Sequence, residues 1–143
     1  MKHMRNLYVD NQPRYLTDWT VAIITGFVNI NQAFALGSPI PQVSAINGQQ
    51  IDLPISIWKD FSSGNWWLSF SPHLIVGYWP AALFNRLRNG GTQIQWGGEI
   101  VNLKNNSRHT HTVMGSGLFA AEGYRKASYF KNVEVIDEHD IVK

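Results

Sequence analysis

At 143 residues the chain is long enough to bury one core and too short for several domains. A hydrophobic share of 44% with 15% charged residues excludes a disordered segment, and a net charge of +2 without a lysine- or arginine-rich run leaves no electrostatic footprint for nucleic acid. The absence of cysteine excludes disulfides and thiolate chemistry, while six tryptophans, five tyrosines and seven phenylalanines suit an aromatic-rich β core or a ligand-binding face.

Taken in order, the opening Met1-Lys2-His3-Met4-Arg5-Asn6 is not followed by the apolar stretch of a signal peptide. Val21-Ala22-Ile23-Ile24 is too short to span a membrane, so no membrane partner is expected. Tyr15 to Ile24 reads as a strand, Gly26 as a break, and Phe27-Val28 as a second short strand. Ala33 to Pro41, with Gly37, Pro39 and Pro41, reads as a connection. Val43 to Ile46 and Ile51 to Ile57 flank Asn47-Gly48, the dipeptide of a tight hairpin turn. Ile51, Leu53, Ile55 and Ile57 alternate onto one face, and Pro54 places that strand at an edge or a bulge.

Ser62 to Asn65 is a predicted turn, followed by strands at Trp66 to Phe70 and His73 to Trp79. Pro80, the Leu83–Leu87 spacing and Gly90-Gly91 predict one short helix. Thr92 to Trp96, Glu99 to Leu103, Thr110 to Met114 and Ala127 to Ile136 read as further strands, with Gly115-Ser116-Gly117 as a flexible break. Strand after strand with a single helix predicts an all-β chain, an antiparallel β-sandwich of jelly-roll type, with residues 1–143 forming one domain.

The chemistry centres on Ile94-Gln95-Trp96-Gly97-Gly98-Glu99-Ile100-Val101. A carboxylate set among strand-formers and turned inward would have its pKa raised by burial, as a general acid or base requires. The alternative is a simple glycine bend with Glu99 in water. Gln95 shares the face of Glu99 if the strand keeps register through the glycines, and a bulge would exchange it for Trp96. His109-Thr110-His111 has the spacing of two metal ligands, but no third is evident and no metal is expected. Glu122, Glu134, Asp137, Glu138 and Asp140 read as a solvated tail. Trp66-Trp67 and Tyr78-Trp79 could stack on sugar or proline rings, with core packing as the competing role. Gly115-Ser116-Gly117 matches neither a nucleophile elbow nor a phosphate loop.

One ordered set of motifs is more specific: Ile57-Trp58-Lys59-Asp60, Gly64-Asn65-Trp66-Trp67-Leu68, Val76-Gly77-Tyr78-Trp79-Pro80, Trp96-Gly97-Gly98-Glu99-Ile100-Val101-Asn102, Met114-Gly115-Ser116-Gly117 and Lys126-Ala127-Ser128-Tyr129-Phe130. In that order the chain resembles the C-terminal part of the neprosin domain of plant proteins. The resemblance implies a secreted glutamic peptidase that cuts next to proline, an antiparallel β-sandwich carrying two glutamates in a cleft, and no metal or organic cofactor. It maps the second of those glutamates onto Glu99 and implies a proline-containing polypeptide as the partner, and the strand register around the glycine pair makes Gln95 and Trp96 the candidate substrate-binding residues.

The departures are equally definite. The family's first catalytic glutamate belongs upstream of the strand near Tyr8, where this sequence has no glutamate, and the family's cysteine pair is missing before Gly26-Phe27-Val28. An incomplete domain is therefore expected, with Asp10 and Asp18 or a second chain as sources of a substitute acid, and with self-association through exposed strand edges. The other expectations are a non-catalytic peptide- or glycan-binding sandwich and an inactive gene remnant.

Overall fold

The computed structural model of the chain describes residues 26–97 and 115–136. Their elements are four strands, β1 (Val28–Asn29), β2 (Ser56–Lys59), β3 (Trp66–Ser69) and β4 (Ile75–Trp79), and three 3-10 turns at Ala81–Leu83, Arg86–Asn89 and Ala120–Glu122. The strands form one antiparallel sheet in the order β1-β4-β3-β2. The all-β antiparallel class expected from the sequence is thus what the chain adopts. A sandwich needs two sheets, and among the described residues there is a single four-stranded sheet. Among them no helix is long and apolar enough to cross a membrane.

The chain divides into two compact units. Of the described residues, 26–43 and 51–94 form the sheet unit, and 44–50, 95–97 and 115–136 form the other.

In the sheet unit the two-residue period of β3 decides what is inside. Leu68 is fully buried, and Trp66, two residues away on the same face, packs beside it. Phe70, Val76 and Trp79 complete the buried cluster, onto which Phe27, Phe34, Leu36, Ile40, Leu74 and Phe84 close. The Ala33–Pro41 connection therefore carries core residues while keeping the irregular path its glycine and prolines dictate. Leu68 faces Gly77 across the β3–β4 pair, and the register slips between Leu68 and Ser69. A side chain at Gly77 would place its Cβ 2.2 Å from the Val28 carbonyl oxygen and 2.7 Å from the Phe27 ring. That glycine is what lets β1 lie against β4 and lets Phe27 meet Trp79 edge-on, with centroids 4.7 Å apart.

The β2–β3 hairpin is closed by its own sequence. The Asp60 N–H donates to the Asn65 carbonyl at 2.9 Å, and the Gly64 N–H donates to the Asp60 carbonyl at 2.7 Å. Asn65 Oδ1 accepts the Ala81 N–H at 3.0 Å, tying the turn to the segment after β4. The Asp60 carboxylate accepts the Ser62 hydroxyl at 2.8 Å, the Ser62 N–H at 3.1 Å, the Ser63 N–H at 3.2 Å and the Ser63 hydroxyl. These donors, the Ser63 hydroxyl first and the Ser62 hydroxyl second, lower its pKa from 3.8 to about 2.

Several expected elements differ. The segment after Pro80 forms two 3-10 turns in place of a helix, because Phe84 between them is extended (φ −115°, ψ 121°) and directs its ring to the core. Of the Asn47-Gly48 pair only Asn47 takes positive φ (56°), in a turn closed by the Gly48 N–H on the Ala45 carbonyl at 2.9 Å. Residues 43–46 and 51–55 are not strands; Ile55 is exposed, and pairing begins only at Ser56. Thr92–Trp96 and Ala127–Val135 are likewise irregular, Asn132 interrupting the second with φ 51°. The predicted strands at Tyr15 to Ile24, Glu99 to Leu103 and Thr110 to Met114 lie outside the described residues.

Gly77→Ala is expected to destabilise the protein by about 1–3 kcal/mol, because the methyl group can be housed only by moving β1 or Phe27. A wild-type denaturation midpoint in that variant would contradict the close packing. For Asp60 the folded pKa lies below the unfolded value, so its contribution is complete above 3.8 and is lost as the pH falls towards about 2. The stability gap between wild type and Asp60→Asn, read from urea midpoints, is accordingly expected to stay level at neutral pH and to narrow through that acidic window. A gap independent of pH would show that the turn does not depend on the ionised carboxylate.

Candidate functional site

The same alternation that buries Leu68 turns Trp67 to the opposite face of the sheet. Strand register places Trp58 beside Trp67, Trp67 beside Tyr78 and Tyr78 beside Val28, one residue from each strand. Trp58 and Trp67 stack with centroids 6.4 Å apart and 17° between planes, and Trp67 meets Tyr78 at 4.8 Å and 39°. Trp58 is 39% exposed and Trp67 and Tyr78 are half-buried. The result is an uncharged aromatic row, suited to stacking on the flat or puckered ring of a ligand.

The sequence pairs Trp66-Trp67 and Tyr78-Trp79 are consequently split. Trp66 and Trp79 belong to the core, whereas Trp67 and Tyr78 stand on the other face with Trp58, which sequence reasoning did not single out as a site residue. Its signal was present in the hairpin: with a turn over Phe61–Ser63, Trp58 falls opposite Trp67.

In the other unit, Gln95, Trp96 and Gly97 are irregular and exposed, Trp96 at 48%. Among the described residues a Cβ built at Gly97 meets nothing within 4 Å. Gly98 and Glu99 lie outside the described residues, as do Asp10, Asp18, His109 and His111. Among the described residues no three His, Asp or Glu side chains gather as a metal-binding group.

The Gly-Ser-Gly and Ala-Ser-Tyr motifs meet directly. Ser128 Oγ accepts the Ser116 N–H at 3.0 Å, and Ser116 Oγ accepts the Leu118 N–H at 3.3 Å. Gly115 has φ 57°, and a Cβ there would fall 1.9 Å from Ser128 Oγ. These glycine and serine positions thus build a turn, as Asp60 and Asn65 do in the sheet unit. Further along, the Tyr124 and Tyr129 rings meet edge-on at 5.4 Å, and Glu122 pairs with Lys126 at 3.3 Å.

The family model for Neprosin matches residues 2–143, so it runs through the aromatic row, the Trp96-Gly97-Gly98-Glu99 motif and the Ser116–Ser128 turn alike.

Gly115→Ala is expected to cost about 1–3 kcal/mol, from its left-handed backbone and its clash with Ser128 together. Ser128→Ala alone should cost about 0.5–1.5 kcal/mol for the lost hydrogen bond. Because the second change removes the nearest clashing atom, the double variant should be more stable than the sum of the two losses implies. Strict additivity in denaturation experiments would mean that the two motifs do not meet.

Proposed function

The chain belongs to the neprosin family, and we propose that it serves the glutamic-peptidase chemistry the resemblance implies, hydrolysis of a peptide bond next to proline in an extracellular polypeptide, with Glu99 as one of two acting carboxylates. The observation that carries this reading is the family match over residues 2–143, which includes Trp96-Gly97-Gly98-Glu99.

The chemistry needs no metal or organic cofactor. Two carboxyl groups close together cannot both ionise readily, so their pKa values separate. The ionised group takes a proton from water as the water oxygen attacks the scissile carbonyl carbon. The protonated group donates a hydrogen bond to the carbonyl oxygen and later gives a proton to the leaving nitrogen as the carbon–nitrogen bond breaks. Gln95 and Trp96 are assigned to substrate contact, and the exposure of Trp96 leaves its indole available for a proline ring. The second carboxylate is assigned to Asp10, to Asp18 or to a second chain. Self-association through strand edges would supply the last, and β1 and β2 are the outer strands of the described sheet.

A second reading is favoured by the aromatic row of Trp58, Trp67 and Tyr78: a non-catalytic surface that binds proline-rich peptides or glycans by stacking. One experiment separates the two. Wild type and Glu99→Gln, both shown to fold by circular dichroism, are incubated with a quenched fluorescent proline-containing peptide from acidic to neutral pH. Peptidase chemistry predicts cleavage by wild type that falls about 10²–10⁴-fold in Glu99→Gln. A folded wild type that cleaves nothing would overturn it. If tryptophan fluorescence then still responds to peptide or oligosaccharide, and the response disappears in Trp58→Ala, the binding reading stands in its place.

A further inference from the structure

The sequence contains two Asn-Gly pairs, Asn47-Gly48 and Asn89-Gly90, held in very different ways. An asparagine followed by glycine is chemically labile, because the following main-chain nitrogen can reach the side-chain amide carbon without obstruction from a Cβ. Deprotonated Gly N attacks Asn Cγ, the Cγ–Nδ2 bond breaks and ammonia leaves, giving a five-membered succinimide. Water then opens the ring at Cγ to give aspartate, or at the main-chain carbonyl carbon to give isoaspartate. The attack requires the glycine N–H to leave its hydrogen bond and the asparagine backbone to rotate.

At Asn47-Gly48 both movements are opposed. The Asn47 N–H donates to the Arg125 carbonyl at 2.9 Å, and the Gly48 N–H donates to the Ala45 carbonyl at 2.9 Å. The Arg125 guanidinium donates back to the Asn47 carbonyl and, at 3.1 Å, to the Gly48 carbonyl. Gln50 Nε2 adds a bond to the Gly48 carbonyl at 3.1 Å. The pair is therefore clasped on both sides of the bond that must turn. Its glycine is also required sterically, since a Cβ at Gly48 would lie 2.9 Å from the Ala45 Cβ.

Asn89-Gly90 ends a 3-10 turn in the other unit. Asn89 is exposed, as Asn47 is, but the Gly90 N–H makes a longer bond of 3.2 Å to the Leu87 carbonyl, and a Cβ at Gly90 would meet nothing within 4 Å among the described residues. Gly90 is followed by Gly91, a second residue without a Cβ, so the chain beyond the pair is conformationally permissive.

We propose that Asn89 is a site of spontaneous deamidation in the folded protein and that the Arg125 clasp protects Asn47 from the same reaction. Conversion at Asn89 places a carboxylate beside Arg86 and Arg88, and next to the Arg88 carbonyl that accepts the Lys59 ammonium. It lowers the net charge by one unit at a basic corner of the sheet unit.

The test compares two sites within one molecule. The full chain is incubated in mildly alkaline buffer, natively and in urea, and each site is followed by peptide mass mapping with isoaspartate detection. Native protein is expected to convert Asn89 several-fold faster than Asn47, and the gap should close in urea. Folded Arg125→Ala should bring Asn47 up several-fold while leaving Asn89 at its wild-type rate. Equal native rates at the two sites, or a slow Asn47 in folded Arg125→Ala, would overturn the proposal. If Arg125→Ala does not fold, the wild-type comparison decides: a gap that persists in urea reflects local sequence and refutes protection by the clasp.

Discussion

The close approach of β1 to β4 at Gly77 is the constraint on which the described sheet depends. Gly77 has Leu68 opposite it on β3 and the Phe27 ring above it. The missing side chain is replaced by the ring of Phe27, the residue just before a strand only two residues long, Val28–Asn29. So short a strand gains little from its ladder bonds; its position comes from Phe27, which reaches Trp79 across the glycine. Once β1 is fixed, the Ala33–Pro41 connection can deliver Phe34, Leu36 and Ile40 onto the same core. The core of the described residues is small, four buried side chains with partly buried ones packed against them, and so leaves little room for a change of volume at its centre.

A second theme is the amount of recurrent motif used for turns. Asp60 and Asn65 close one hairpin, Ser116 and Ser128 close a turn in the other unit, and Gly115 is the residue that fits beneath Ser128. Each of the four polar residues would look reactive in a sequence scan, having a glycine or an aromatic beside it. Each instead satisfies main-chain N–H groups that the surrounding irregular chain leaves open. Resemblance carried by such residues is therefore evidence of shared architecture before it is evidence of shared chemistry.

Legibility from sequence follows the same division. β3 and β4 were readable because Trp66, Leu68, Ile75 and Tyr78 are strand-formers bounded by turn residues, and those strands have partners on both sides. Ile51 to Ile55 carries an equally good alternation, yet alternation says only which face would be buried if a partner were present, and Pro54 removes a donor from the ladder. The helix after Pro80 failed at Phe84, whose burial in the core outweighs a weak local preference for continuing the turn. The aromatic row is half legible: Trp66-Trp67 and Tyr78-Trp79 stand out as pairs in the sequence, but the row itself runs across strands, through a register no single strand contains. Glu99, the residue on which the chemical reading turns, was found by motif, and its surroundings lie outside the described residues.

In the sheet unit the Asp60 carboxylate is built for a turn rather than for proton donation. The aromatic row contributes no acid, and the carboxylate nearest to it along the chain is Asp60, two residues beyond Trp58. A proton-donating partner for Glu99 must hold its proton in the working pH range, which calls for burial or a neighbouring negative charge. Asp60 is in the opposite situation: serine hydroxyls and N–H groups surround it, it faces solvent, and its pKa is lowered to about 2. It is an ionised acceptor built to shape a turn. In the other unit, Glu122 is engaged with Lys126 four residues away. Asp60 is thus committed to its turn and Glu122 to its ion pair, and the peptidase reading proposed above takes its second carboxylate from Asp10, Asp18 or another chain. Under that proposal catalysis and assembly are linked: if the acid comes from a second chain, activity must rise with the fraction of associated molecules, whereas an acid from Asp10 or Asp18 leaves specific activity independent of concentration.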